Sequence, residues 1–107
     1  MSTKIIKLDV EELVAKELAL ANGENPAFRS PHEGYAVILE EVEELLEAVR
    51  NTKDRTDGLW RNVKGDDSRS VSFEINWLEN MATNAACEAI QVAAMCRKYR
   101  ESLLGGE

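Results

Sequence analysis

Apolar residues recur at steps of three and four along three stretches of the chain, the spacing that lines one face of an α-helix. The first stretch, Asp9 to Ala21, sets Val10, Leu13, Val14, Leu18 and Ala21 among charged residues. In the "NGENPAF" that follows, Asn22, Gly23 and Pro26 stop the helix and supply a connection. The second stretch opens on "SPHE". There Ser30 caps the helix, Pro31 takes the first position, where a missing N–H costs nothing, and Glu33 completes a capping box. Val37 or Ile38, then Val42, Leu45 and Val49 mark its buried stripe, and the basic Arg50 suits a last turn ending near Arg50 or Asn51. The third stretch runs from Val71 to Leu104. Its stripe is Leu78, Ala82, Ala85, Ala89, Val92, Cys96 and Tyr99, with Met95 at the edge. A helix that long is either the spine of a bundle or is broken near Asn76–Asn80.

From Thr52 to Ser68 the periodicity fails. "TKDRTDGLWRNVKGDDS" is polar, carries Gly58 and Gly65, and predicts a loop with at most a short helical turn around Leu59–Val63. Beside an acidic helix such a loop could be a lid, with Trp60 either anchoring it to the core or stacking on a base. Phe73 and Trp77 carry the same two readings. No strand pair, internal repeat or Gly-rich phosphate loop is present. The expected fold class is therefore all-α, a helical bundle of about three to five helices in a single domain over residues 1–107. A chain of this size buries a small share of its surface, so a second copy is expected to complete the core.

Composition narrows the function classes. A hydrophobic fraction of 44% supports a folded chain rather than an acidic tail. Twenty acidic against thirteen basic residues, a net charge of -7, disfavour a protein that grips nucleic-acid backbone. The sequence shows no leader and no run of 18 apolar residues, so a soluble cytoplasmic protein without a membrane partner is expected. Cys87 and Cys96 stand roughly 14 Å apart along a straight helix, too far for a disulfide. With no CxxC and a single histidine, zinc is disfavoured and both cysteines are expected to pack as small apolar residues. His32, in the first turn of its helix, is expected to serve packing or solvation.

The second helix poses a sharper question, because five glutamates fall between Glu40 and Glu47. Glu41 and Glu44 are three apart and Glu40 and Glu44 four apart, so each pair shares one edge of the helix. Glu41 flanks the stripe of Ile38 and Leu45, whereas Glu43 and Glu47 point toward solvent. Like charges at these spacings cost about a few tenths of a kcal/mol each. A magnesium ion, which takes carboxylate oxygens in a near-octahedral shell, would reverse that sign. One helix cannot surround it, so another must contribute. Glu88 is the natural donor, with Gln91 three residues further and Asn84 four before. Without a metal, "EEVEELLE" is simply a solvated acidic face.

"LEEVEELLEAV" after an entry helix, then a variable segment, then "EAIQVAAM" in an alanine-rich helix resemble the MazG-like all-α NTP pyrophosphatase superfamily over residues 30–100. That superfamily carries an ExxE motif on one helix and ExxD on a later one. Glu41 and Glu44 match the first motif, Glu40 matches the acidic residue that often precedes it, and Glu88 opens the second. Gln91 stands where the family has aspartate. The resemblance implies magnesium-dependent hydrolysis of nucleoside triphosphates to monophosphate and pyrophosphate by a homodimer or homotetramer. Glu41, Glu44, Glu88 and Gln91 would hold the Mg2+; Glu41 and Glu40 would be the catalytic carboxylates, Glu40 as ligand or as the group orienting the water. Trp60, Arg61, Lys64 and Asn84 are the candidate substrate-binding residues. Lys53, Arg55, Arg97, Lys98 and Arg100 offer further cations, although each taken singly reads first as a solubilising charge.

Gln91 leaves a second reading open. An amide keeps an oxygen but removes a full negative charge, which an acid at Asp54, Asp57, Asp66 or Asp67 could restore. Otherwise the chain is a non-catalytic helical homologue, a scaffold or protein-binding module. A third possibility, an acidic decoy of nucleic acid, fits poorly, because its charges would spread over a broad face rather than concentrate beside a buried stripe.

Overall fold

The computed structural model describes residues 3–24 and 27–105, so Pro26, part of the expected connection, lies outside the described residues. Among those described the chain is all-helical, with α1 (Thr3–Glu24), α2 (Pro31–Lys64) and α3 (Ser68–Leu103) and no strand. It divides into two compact units, one made of residues up to Val42 together with those from Ala89 onward, the other of Glu43–Glu88.

In the first unit, Val14 and Leu18 of α1 are buried with Phe28, Ala94 and Met95. Ala21, Val37, Ile38, Ile90, Tyr99 and Leu103 pack around them. The expected α1 stripe is thus used from Val14 to Ala21, whereas Val10 and Leu13 stay exposed. The α2 cap forms as its residue types require: the Glu33 backbone N–H donates to Ser30 Oγ at 3.1 Å. Glu33 reaches back one residue further than a standard capping box, accepting from the Arg29 backbone N–H at 3.0 Å and from its guanidinium at 2.9 and 3.1 Å. The connection is fastened to the far end of the chain by Phe28, whose N–H donates to Ser102 Oγ at 3.0 Å. Gly34 permits a close approach here, because a Cβ at that position would lie 2.5 Å from Tyr99 Cδ2 and 3.2 Å from Phe28 Cδ2.

The second unit corrects the expected loop. Residues 52–64 continue α2 without a break. Local bonds explain how so polar a segment stays helical: Thr52 Oγ1 donates to the Ala48 carbonyl at 2.8 Å and Lys53 pairs with Asp57 at 2.9 Å, one turn on. Gly58, the apparent breaker, is buried against the Glu74 carboxylate of α3, which a Cβ would approach at 3.2 Å. The turn between the helices is only residues 65–67. Asp66, at φ 52°, takes the left-handed position, Asp67 N–H bonds to the Asn62 carbonyl and Asp66 N–H to the Val63 carbonyl. This is a Schellman end with aspartate where glycine is usual. Asp67 then caps α3, accepting from the Ser70 N–H at 3.1 Å and its hydroxyl at 2.7 Å. The result is an antiparallel helical hairpin, and α3 passes Asn76–Asn80 unbroken.

The α3 stripe also shifts from expectation. Leu78, Ala85, Val92 and Tyr99 are partly covered, but Ala82, Ala89 and Cys96 are exposed, and Met81 and Met95 take the covered places. Both cysteines are free and exposed rather than packed. Both rows, expected and covered, repeat every 3.5 residues and share Leu78, Ala85, Val92 and Tyr99; they differ in the intervening place, which Met81, Glu88 and Met95 take instead of Ala82, Ala89 and Cys96.

Gly34→Ala is expected to destabilise the protein by about 1–3 kcal/mol, because the Tyr99 ring must move, and to override the helix-propensity gain. Gly58→Ala meets only the movable end of Glu74 and is expected to be neutral or to stabilise by up to about 1 kcal/mol. Urea unfolding of the two variants beside the parent checks both signs.

Candidate functional site

Along α2 the residues Ile38, Glu41, Leu45, Ala48, Thr52, Arg55, Leu59 and Asn62 are each partly covered; along α3 so are Val71, Glu74, Leu78, Met81, Ala85, Glu88 and Val92. Steps of three and four therefore run unbroken through three carboxylates, at Glu41, Glu74 and Glu88. A carboxylate in a covered row needs a partner or a proton.

Glu74 has a cation. Arg55 Nη1 lies 3.6 Å from Glu74 Oε2, and the Arg55 guanidinium also lies 4.8 Å from the centre of the Trp77 ring. Glu88 instead faces another acid. Its carboxyl is pushed above the ordinary glutamate value first by burial, then by the negative charge of Glu44 and the hydrogen bond the two side chains share. Two carboxylates within hydrogen-bonding reach repel each other when both are charged, which favours a cation nearby.

Glu41, one turn before Glu44 on the same helix, completes a group of three. A carboxylate oxygen from each of Glu41, Glu44 and Glu88 lies within 4.8 Å of the others, with Glu41 and Glu88 partly covered and Glu44 exposed. Hard oxygen donors without sulfur or imidazole suit Mg2+, so the donor set fits that ion. Gln91, also partly covered, stands one turn after Glu88.

The other expected site residues are placed differently. Glu40 is exposed beside Glu41, and Asn84 is exposed one turn before Glu88. Trp60 is exposed on a continuous helix, with Lys64 Nζ 5.6 Å above its ring, so it does not anchor a loop. Arg61 lines a cavity of about 460 Å³ in the second unit with Asp54, Arg55, Gly58 and Glu74. Asp57 is taken by Lys53, and Asp67 by the α3 cap. His32 is exposed.

Two residues escaped the sequence reading. Glu74 was legible in principle, since counting back two heptads from Glu88 reaches it. Lys98 was not: it is 4% exposed in the first unit, and nothing about a lysine in "CRKYRES" marks it as buried.

Comparison with models of protein families, with curated proteins and with solved structures finds no match to this chain. No described helix is long and apolar enough to cross a membrane.

The Glu88 shift fixes the sign of one pH effect. A carboxyl that binds its proton more tightly folded than unfolded stabilises the fold at low pH, and that contribution is lost as pH rises from the ordinary value of 4.5 through the raised one. In chelator, the melting temperature of the parent is expected to fall relative to that of Glu88→Gln as pH rises across this window. Magnesium should restore the parent at neutral pH and leave the variant nearly unmoved.

Proposed function

We propose that the chain is a magnesium-dependent pyrophosphohydrolase, converting nucleoside triphosphates (NTP or dNTP) to the monophosphate and pyrophosphate. The observation that carries this reading is the pairing of Glu88 with Glu44 beside Glu41. Three acids gathered together favour a cation there, and they match the ExxE motif and the first position of the ExxD motif of the superfamily that the sequence resembles, with Gln91 in place of its aspartate. Bound magnesium would neutralise phosphate oxygens and lower the pKa of a water.

The roles of the chain's own residues follow from their positions. Glu41, Glu44 and Glu88 supply anionic oxygens, and Gln91 a neutral one. Water attacks the α-phosphorus, the bond from that phosphorus to the bridging oxygen breaks, and pyrophosphate leaves with the electron pair. The proton from the water passes to a carboxylate, Glu41 or its neighbour Glu40. In the second unit, the Arg61 cavity supplies guanidinium groups of the kind that bind phosphate, but Arg55 is already paired with Glu74.

A homodimer or homotetramer goes with this reading. On α1, Ile6, Val10, Leu13 and Leu20 are exposed, and their spacing sets them on one face of the helix. A second copy is the occupant that a superfamily of oligomers would supply. Sedimentation is expected to give a dimer or tetramer mass, and Leu13→Lys to shift it toward the monomer.

Catalysis is tested by pyrophosphate release from a panel of canonical and modified NTPs and dNTPs, with and without magnesium. Release should require magnesium, and Glu41→Gln should reduce it about 100-fold or more. Gln91→Asp should tighten magnesium binding by restoring the missing charge. No release from any nucleotide by folded, magnesium-saturated protein would favour the scaffold reading, with Gln91 as its cause.

A further inference from the structure

The first unit holds a lysine whose side chain is buried and whose head stands at a cavity. Lys98 is 4% exposed. Lysine is almost never buried to that degree unless paired, because its ammonium loses water and carries three donors that must be satisfied. Among the described residues, the ammonium's close neighbour is an aromatic face, with Nζ 4.9 Å from the centre of the Phe28 ring. A ring attracts the charge but does not accept three hydrogen bonds. Glu33 would be the obvious counter-ion, yet both its oxygens are committed to Arg29. Lys98 contributes to holding the Glu33 carboxyl below its ordinary range only after the bonds from Arg29 and the charge of that residue.

Lys98 lines a cavity of about 700 Å³ with Phe28, Val37, Met95 and Glu41. That volume falls in the range of small-molecule sites, roughly 300–1,000 Å³, and the mix of apolar wall and a few charged groups is typical of them. Glu41 belongs both to this wall and to the carboxylate group on α2. Charge accounting then selects the ligand. Glu24, Glu33 and Glu41 line the cavity against Arg29 and Lys98, so the wall is net negative. A bare polyanion is repelled by such a wall, whereas an anion that carries its own divalent cation meets acids with its metal and the ammonium with its phosphate oxygens.

We propose that Lys98 is the phosphate anchor of this cavity, and that the cavity takes the magnesium complex of a nucleoside polyphosphate. The identity of the ligand rests on the pyrophosphohydrolase reading; the anchoring role of Lys98 rests on the burial of its side chain and its place in the cavity wall. The aliphatic stem of Lys98 packs in the core while its head faces the ligand, and Phe28, Val37 and Met95 form the apolar part of the seat.

The test is calorimetric titration of the full chain with two probes, magnesium pyrophosphate and the magnesium complex of an α,β-methylene nucleoside triphosphate. Lys98→Met keeps the length and burial of the stem and removes the charge, and it is expected to weaken both probes at least 10-fold without lowering the melting temperature. Lys98→Arg should stay within a few-fold of the parent, as should Lys16→Met, which removes an exposed cation from α1. Titration of the parent with magnesium pyrophosphate, followed by NMR at the Lys98 side chain, needs no variant and should shift its Cε and Nζ signals. Unchanged affinity in Lys98→Met, or unmoved Lys98 signals at saturation, overturns the anchor. So does absence of binding of either probe to the parent. Lys98-dependent binding without turnover of any nucleotide would sink the hydrolase and keep the anchor. Turnover whose KM ignores Lys98→Met would do the reverse.

Discussion

In the second unit two helices joined by a three-residue turn lie against each other, and what falls every three or four residues on their facing sides is covered. In this chain that constraint acts on carboxylates as well as on leucines and methionines. Glu74 and Glu88 occupy the same row of α3 as Met81, two heptads apart. Their positions are fixed by the packing period rather than by any preference of glutamate for shelter. The surroundings of the two differ: Glu74 lies beside Arg55, whereas Glu88 lies beside Glu44, whose charge and hydrogen bond help raise its pKa.

That difference separates structure from function. A covered acid beside an arginine has its opposite charge at hand, although Glu74 Oε2 accepts no hydrogen bond among the described residues, and Gly58 leaves room for it. A covered acid beside an acid holds its proton more tightly and favours a cation nearby. The same distinction applies among the cations. Arg29 is satisfied by Glu33 and Arg55 by Glu74, and the Lys98 ammonium meets an aromatic face. Glu88 and Lys98 both lie on α3, and Glu41 of α2 belongs to the carboxylate group of the first and to the cavity wall of the second. Rigid helices suit this work, since a site carried on a continuous helix keeps its side chains where packing puts them.

Much of this was legible in the sequence. The "SPHE" cap, the register of Ile38, Glu41 and Leu45 and the all-helical class follow from local rules, because capping and helix periodicity act over four to eight residues; Glu88 joined Glu41 and Glu44 through the resemblance to a two-motif superfamily. The segment from Thr52 to Lys64 was misjudged for a physical reason: polar residues and a central glycine resemble a loop locally, and only the close passage of Glu74 makes Gly58 useful inside a helix. The stripe of α3 was drawn along the alanines because a small apolar residue fits either side of a helix. Neighbouring helices chose Met81, Glu88 and Met95 instead and left Cys87 and Cys96 exposed.

The sequence by itself therefore determined where helices begin, which acids share an edge and which residues could serve a metal, since each depends on a spacing within one element. Tertiary structure alone decided which carboxylate received a cation and which received its like, and that one lysine among thirteen basic residues was taken out of water. Charge pairing and burial are properties of residues brought together from distant parts of the chain. No spacing within "CRKYRES" encodes the ring of Phe28, seventy residues away.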